Sequence, residues 1–203
     1  MKLYDTNRAP NPRRVRIFLA EKGISVPLVP VDLGKGEHKS TEFTGLNPRQ
    51  RVPLLVLDDG TAIAETMAIC RYFEALQPEP NLFGHTPQEQ GLVEMWQRRV
   101  ELDLFYPIMM VLRHLNPAMA AMEVPQVPEW GEANKPKVLA ALGFFNDQLA
   151  DRAFVAGSRF SVADITMLVA VDFLRVIRTE VPEHHTHLKR WYDVVSQRPS
   201  AKA

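Results

Sequence analysis

A single cysteine, Cys70, is all the thiol this 203-residue chain carries. It cannot form an internal disulfide or a Cys-x-x-Cys redox pair, and no plausible metal cluster gathers around it. Any thiol chemistry must use a sulfur brought from outside, and with Ile69 and Tyr72 beside it Cys70 reads as a packed small hydrophobe. Excess charge is missing too: 24 Lys and Arg balance 24 Asp and Glu. That balance offers no general attraction to nucleic acid or to an acidic membrane. Long apolar runs are absent, since nothing approaches the roughly 20 residues needed to span a bilayer. The opening Met1-Lys2-Leu3-Tyr4-Asp5 lacks the apolar stretch of a signal peptide, so a cytoplasmic location is expected. Internal repeats and low-complexity tracts are also lacking.

What is present is 46% hydrophobic residues, enough for a sizeable core divided between two small domains. Strand and helix signals alternate in the first part. Lys2 to Tyr4 reads as a strand, and Arg13 to Lys22 as a helix closed by Gly23. Val26 to Val31 reads as an edge strand, because Pro27 and Pro30 donate no ladder hydrogen bond. A weak helix near Ser40 to Thr44 precedes a hairpin, Leu54 to Leu57 and Thr61 to Ala64, turned at Asp58-Asp59-Gly60. Thr66 to Leu76 carries Ala68, Ile69, Tyr72, Phe73 and Leu76 at helical spacing. The order is βαβαββα over residues 1–78.

A proline-rich linker is expected at 79–87, and strand signals then vanish, which makes 88–203 an all-helical domain and the chain α+β. Gln88 to Arg113 is one long periodic stretch in which Pro107 should bend or divide the helix. Residues 114–131 read as an irregular connection. Further helices are expected at Pro136 to Ala150, Val162 to Ile177 and Thr186 to Ser196. Ser161 and Asp164 match a capping box, a folding device rather than a catalytic pair.

The residues with a chemical signature lie around the hairpin. Val52, before Pro53, can offer its backbone N–H and C=O to an extended peptide. Thr66 is placed as the N-cap of the next helix. The free amides of that helix suit a ligand carboxylate, while Glu65 can pair with a ligand ammonium. One amino-acid end satisfies both.

On these residues and this order of elements, the chain resembles the cytosolic glutathione transferases along nearly its whole length. The resemblance implies a thioredoxin-like first domain that binds glutathione, a helical second domain that binds the other substrate, and a homodimer with Met67, Arg71 and residues 94–98 near the contact. Val52 and Pro53 match the positions that pair with the cysteinyl backbone of glutathione, and Glu65 and Thr66 those that hold its γ-glutamyl end. Gly36-Glu37-His38-Lys39-Ser40, with Phe43 and Asn47-Pro48, is similar to the theta-class segment facing the glycine carboxylate; His38 and Arg51 inherit that role.

Theta register puts Ala9 where that class has its catalytic serine. The loop instead resembles the Nu class, whose Asn contacts the glutathione sulfur, and Ala9-Pro10-Asn11 keeps the Asn. Asn11 is therefore the expected activating residue, with Thr6, Ser25 and Ser40 as weaker candidates and Thr6 the best placed. Asn11 before Pro12 also fits an N-cap with proline at N1. Lowering a thiol pKa by about two units requires roughly 2.7 kcal/mol. A hydrogen bond to a charged group, about 1.5–3 kcal/mol, and a helix N-terminus together reach it. The electrophile pocket is expected between the Arg8 to Pro10 loop, with Ala9, and the helix bearing Phe105, Tyr106, Met109, Met110 and Arg113. Metal is not required. The implied activity is attack of the glutathione thiolate on a hydrophobic electrophile or peroxide. The competing reading is a non-catalytic glutathione-binding or regulatory module. An isomerase or dehalogenase is unsupported, because the zeta-class Ser-Ser-Cys signature is absent.

Overall fold

The structure is a computed structural model that describes residues 1–7 and 9–203. The chain forms two compact units, Met1–Asn81 with Pro199–Ala203, and Leu82–Arg198.

The first unit follows the expected order: β1 (Lys2–Asp5), α1 (Pro10–Lys22), β2 (Leu28–Pro30), α2 (Thr41–Leu46), β3 (Leu54–Val56), β4 (Ala62–Ala64) and α3 (Thr66–Leu76). Among the described residues, one sheet runs β2-β1-β3-β4. β1 pairs parallel with β2 and antiparallel with β3, which forms the hairpin with β4. A parallel pair needs a crossover, and α1 supplies it. β2 lies at the edge as its prolines demand. In its register Leu3 N–H bonds Pro27 C=O and Val31 N–H bonds Asp5 C=O. Pro30 therefore turns outward, where its missing donor leaves a poor template for a further strand. Period-two alternation buries Leu3 and Leu55 on one face of the sheet, while Tyr4, Leu54 and Val56 join Val31 and Phe43 in a separate cluster.

Lys22, at the end of α1, is wholly buried and pairs with Glu74. Its ammonium also donates to the carbonyls of Gln77, Pro78 and Pro80, at 2.8, 3.3 and 2.8 Å. The chain leaving α3 is tied back by this one cation. The five C-terminal residues, expected with the helical domain, belong to the first unit instead. Arg13 Nη2 donates to Ala201 C=O at 2.9 Å, and Ser200 Oγ bonds Glu21. No periodicity in so short a segment advertises such a return.

The second unit is helical: α4 (Pro87–Arg99), α5 (Tyr106–Leu115), α6 (Pro128–Gln148), α7 (Val162–Phe173) and α8 (Thr186–Ser196). α4 and α5 are joined by a π-helical segment, Val100–Phe105. Pro107 is the cause we assign, since its nitrogen cannot serve the preceding turn and a wider turn relieves its ring. Tyr106 N–H accordingly reaches back five residues to Glu101 C=O. α6 starts eight residues before the expected Pro136 and carries that proline inside it. Its buried Gly131, Asn134, Val138, Ala141, Leu142 and Phe145 keep helical spacing through the proline, so packing outweighs the roughly 3 kcal/mol cost. Gly131 is needed there, since a Cβ would meet Leu115 side-chain atoms at 2.6 Å.

Asp164, at the start of α7, is completely buried. Its Oδ2 accepts from the Ser161 N–H at 2.9 Å and the Ser161 hydroxyl at 3.0 Å. Its Oδ1 accepts from Val155 N–H and Trp191 Nε1, both at 2.9 Å. The capping box is thus extended into a clasp on α8 and the chain before α7. Burial pushes the Asp164 carboxyl up to about 6 from 3.8, against the pull of these donors.

Below the unfolded value both states are protonated; as pH rises to about 6 the unfolded chain releases its proton first, and Asp164's contribution to stability falls. The stability advantage of the native chain over Asp164→Asn should therefore shrink between about pH 4 and about pH 7, as read by urea unfolding. An advantage that grows with pH contradicts the raised carboxyl. Asp164→Ala strands four donors and should cost at least about 3 kcal/mol.

Candidate functional site

α1 begins earlier than its sequence implies. The cap is Ala9, in extended conformation, with Pro10 first in the helix and Asn11 second. Asn11 is therefore not the N-cap; Pro10 satisfies the N1 preference as well as Pro12 does, and neither proline needs the amide it lacks. The Asn11 backbone N–H remains among the unpaired first-turn donors. Its side-chain Oδ1 accepts from Arg14 Nη1 at 3.3 Å, and its C=O accepts from Thr66 Oγ1 at 3.5 Å. Among the described residues the Asn11 Nδ2 has no acceptor. Arg8 lies outside the described residues.

The other hydroxyl candidates are elsewhere. Ser40 accepts the Phe43 N–H at 3.2 Å as the N-cap of α2. Ser25 is exposed beyond the opposite end of α1. Thr6 lines a cleft of about 530 Å³ with Asn7, Leu28, Pro30 and Asp32.

Asn47 organises the approach to β3. This buried residue ends α2, donates Nδ2–H to Arg51 C=O at 2.8 Å, and accepts the Arg49 N–H at 3.1 Å. The loop it encloses brings Gln50 to φ 52° and leads into a cis Val52-Pro53 bond. The Val52 side chain packs against the Tyr4, Phe43 and Leu54 cluster. Its own N–H and C=O have no partner among the described residues. Sequence reading quoted Asn47-Pro48 but missed this function; an Asn that ends a helix before Pro is the signal that was available.

Glu65, rather than Thr66, is the N-cap of α3, with φ 72° and ψ 125°. A residue at positive φ cannot join a right-handed helix, so the helix begins at Thr66. Such a conformation costs of order 1–3 kcal/mol in a non-glycine residue. Glu65 makes no capping bond with its side chain, which is exposed, whereas Thr66 is buried. Thr66 and Asn11 thus bring the beginnings of α3 and α1 together.

His38 sits in a 3-10 turn, Glu37–Lys39, and is 3% exposed. Neither of its ring nitrogens has a hydrogen-bond partner among the described residues. Burial, reinforced by the charges of Lys39 and Arg51, holds its pKa below 6.5. Arg51 itself is exposed.

The expected electrophile stripe does not share one wall. Phe105 is buried in the π-helical segment. Met109 and Arg113 stand four residues apart on α5, on one face. Arg113 pairs with Glu123 at 3.0 Å, so its guanidinium is engaged within its own unit. Tyr106 borders a different cleft, of about 710 Å³, with Arg99, Trp130 and Phe144.

Comparison with known proteins supplies the family. Residues 9–76 match the glutathione S-transferase N-terminal domain, and residues 110–199 the C-terminal domain. Glutathione S-transferase 2 of Saccharomyces cerevisiae is 43% identical over 205 residues, covering 100% of this chain and 88% of the relative. The chain belongs to the glutathione S-transferase family. Among solved structures, Gtt2 from Saccharomyces cerevisiae superposes with a TM-score of 0.94 at 43% identity, covering 100% of this chain and 99% of that one. A glutathione S-transferase domain-containing protein of Marinobacter aquaeolei gives 0.95 at 40% identity, covering 98% and 99%. The thioredoxin-like first domain and helical second domain are those of the family. No helix among the described residues is long and apolar enough to cross a membrane.

Cys70 lies in α3, 1% exposed, and burial pushes its thiol up to about 12. A thiol reagent such as dithionitrobenzoate should leave the native protein unlabelled and react fully once urea unfolds it. Rapid labelling of the native chain would contradict that burial.

Proposed function

We propose that this glutathione S-transferase binds glutathione along the first unit, ionises its thiol beside Asn11, and directs the thiolate at a hydrophobic electrophile or peroxide. The observation that carries the reading is His38, a buried imidazole whose two nitrogens are left unpaired. Leaving buried polar groups unsatisfied costs about 1–3 kcal/mol each, a cost a ligand carboxylate would relieve. His38 and Arg51 receive the glycine carboxylate, Val52 pairs with the cysteinyl backbone ahead of cis-Pro53, and Glu65 and Thr66 hold the γ-glutamyl end.

Two donors on Asn11 support thiolate formation, its backbone N–H and its side-chain NH2. Pro10 and Pro12 remove two first-turn amides, so Asn11 bears more of the work than an ordinary helix start would assign to one residue. The thiolate attacks the electrophile, forms the new bond to sulfur and expels the leaving group. Peroxide or disulfide reduction uses the same ionised sulfur, in keeping with the Nu-like Asn. Ala9, Phe105, Met109 and Arg113 remain the residues nominated for the electrophile. A homodimer accompanies this reading on the strength of the family.

Asn11→Ala should raise the pKa of the bound glutathione thiol by about 1–2 units, measured by the ultraviolet absorbance of the thiolate, and lower turnover in step. An unchanged pKa and turnover would remove Asn11 from the mechanism. Retention on immobilised glutathione without activity toward any electrophile or peroxide would favour the binding module, a reading that the missing hydroxyl at Ala9 also supports.

His38 gives a second test. Its pKa starts below 6.5, and a bound carboxylate raises it, so between the two values the complex holds a proton the free protein lacks. Affinity for S-methylglutathione, whose sulfur does not titrate, should rise as pH falls from about 8 toward about 5. His38→Gln should flatten that profile and weaken binding about tenfold. A profile unchanged in His38→Gln assigns the carboxylate elsewhere.

A further inference from the structure

Arg14 makes none of the glutathione contacts proposed above, yet it faces the residue on which activation depends. It is 2% exposed, and its Nη1 lies 3.3 Å from Asn11 Oδ1, one helical turn away. We propose that Arg14 is a positioning residue for thiol activation: its guanidinium holds the Asn11 carbonyl oxygen and so presents the Asn11 NH2 as a donor. The proposal rests on the reading of Asn11 as the activating group.

The reasoning is chemical. An amide side chain has a donor end and an acceptor end of nearly equal size, and an exposed Asn can present either. The acceptor end would repel a thiolate. A guanidinium carries five donors and no acceptor, so only the oxygen of Asn11 can face it. A charge-assisted hydrogen bond favours that orientation by roughly tenfold or more. The Asn11 C=O is held independently, by Thr66 Oγ1 at 3.5 Å, so backbone and side chain are both restrained. Arg14 also acts at a distance within the unit, since its charge opposes the effect of burial on Cys70 in α3. Being packed inside, it cannot swing outward to take a ligand carboxylate, which separates it from an exposed cation such as Arg51.

The test uses the full chain, with the pKa of bound glutathione and turnover of chlorodinitrobenzene measured for Arg14→Gln, Arg14→Lys, Asn11→Ala and the Asn11→Ala/Arg14→Gln pair. Gln can present an acceptor or a donor to Asn11 and loses the selection. Arg14→Gln should raise the thiol pKa by about one unit and lower kcat about tenfold at neutral pH, with KM for glutathione within about twofold. Lys, again donors only, should recover most of the shift. The pair should be no worse than Asn11→Ala alone.

A thiol pKa unchanged in Arg14→Gln but raised in Asn11→Ala overturns the proposal and leaves Asn11 standing. Full additivity in the pair also overturns it, because Arg14 would then act apart from Asn11. An unchanged pKa in Asn11→Ala removes the activation reading itself, and this proposal with it. If Arg14→Gln does not fold, Asn11→Asp decides: its carboxylate should pair with Arg14, unfold no earlier than Asn11→Ala on heating, and raise the thiol pKa at least as far. Earlier unfolding would show that Arg14 does not hold this position.

Discussion

The hydrogen bonds of buried Asn47 are the constraint on which the approach to β3, and with it the candidate site, depends. One side chain satisfies Arg51 C=O and Arg49 N–H together, closing a loop too short to be held by a sheet ladder. The enclosed turn sets the direction in which the chain enters β3. With the Val52 side chain anchored in the Tyr4 and Phe43 cluster, the N–H and C=O of Val52 itself are left without partners among the described residues. Packing below and hydrogen bonding behind thus produce an open backbone edge in front.

The same logic runs through neighbouring elements. Folded chains pair the great majority of their buried polar groups; in the first unit both ring nitrogens of buried His38 are exceptions, as is His185 Nδ1 in the second, while the half-buried Val52 peptide atoms and the exposed Asn11 amide also lack partners among the described residues. Glu65 adds backbone strain at φ 72°. These are costs that the clusters around Phe43, Phe18 and Phe73 must offset, and they are the marks expected where stability is given up for binding. In the second unit Asp164 does the opposite, gathering four donors around one buried carboxylate and leaving none of them idle.

Much of the fold was legible. The bounds of α3 and α8 follow from apolar spacing, the hairpin from Asp59-Gly60, and the edge position of β2 from Pro27 and Pro30. Local chemistry decides each of these, so local sequence reveals it. Where a distant partner decides, the reading failed. Pro136 looked like a helix start because the packing that tolerates it comes from α5. The return of residues 199–203 depends on Arg13 and Glu21, nearly the whole chain away. For the candidate site, residue types and spacing pointed to Val52, Pro53, Glu65 and Thr66, and the family resemblance to His38 and Arg51. The caps were each misassigned, Asn11 for Ala9 and Thr66 for Glu65, because adjacent residues compete for a helix start and backbone dihedrals choose between them. The pairing of Arg113 with Glu123 across the turn after α5 was likewise invisible.

A transferase that borrows its thiol works among the disulfide forms of that same tripeptide, any of which can be captured by a protein sulfur as a mixed disulfide. Cys70 stands only one turn along α3 from Thr66. With its thiol at about 12, about one molecule in 10⁵ carries the reactive anion at neutral pH, and the sulfur is sealed from solvent. The chain's only thiol is consequently a spectator. Oxidative swings in the tripeptide pool can change how much substrate arrives without leaving an adduct on the protein that receives it.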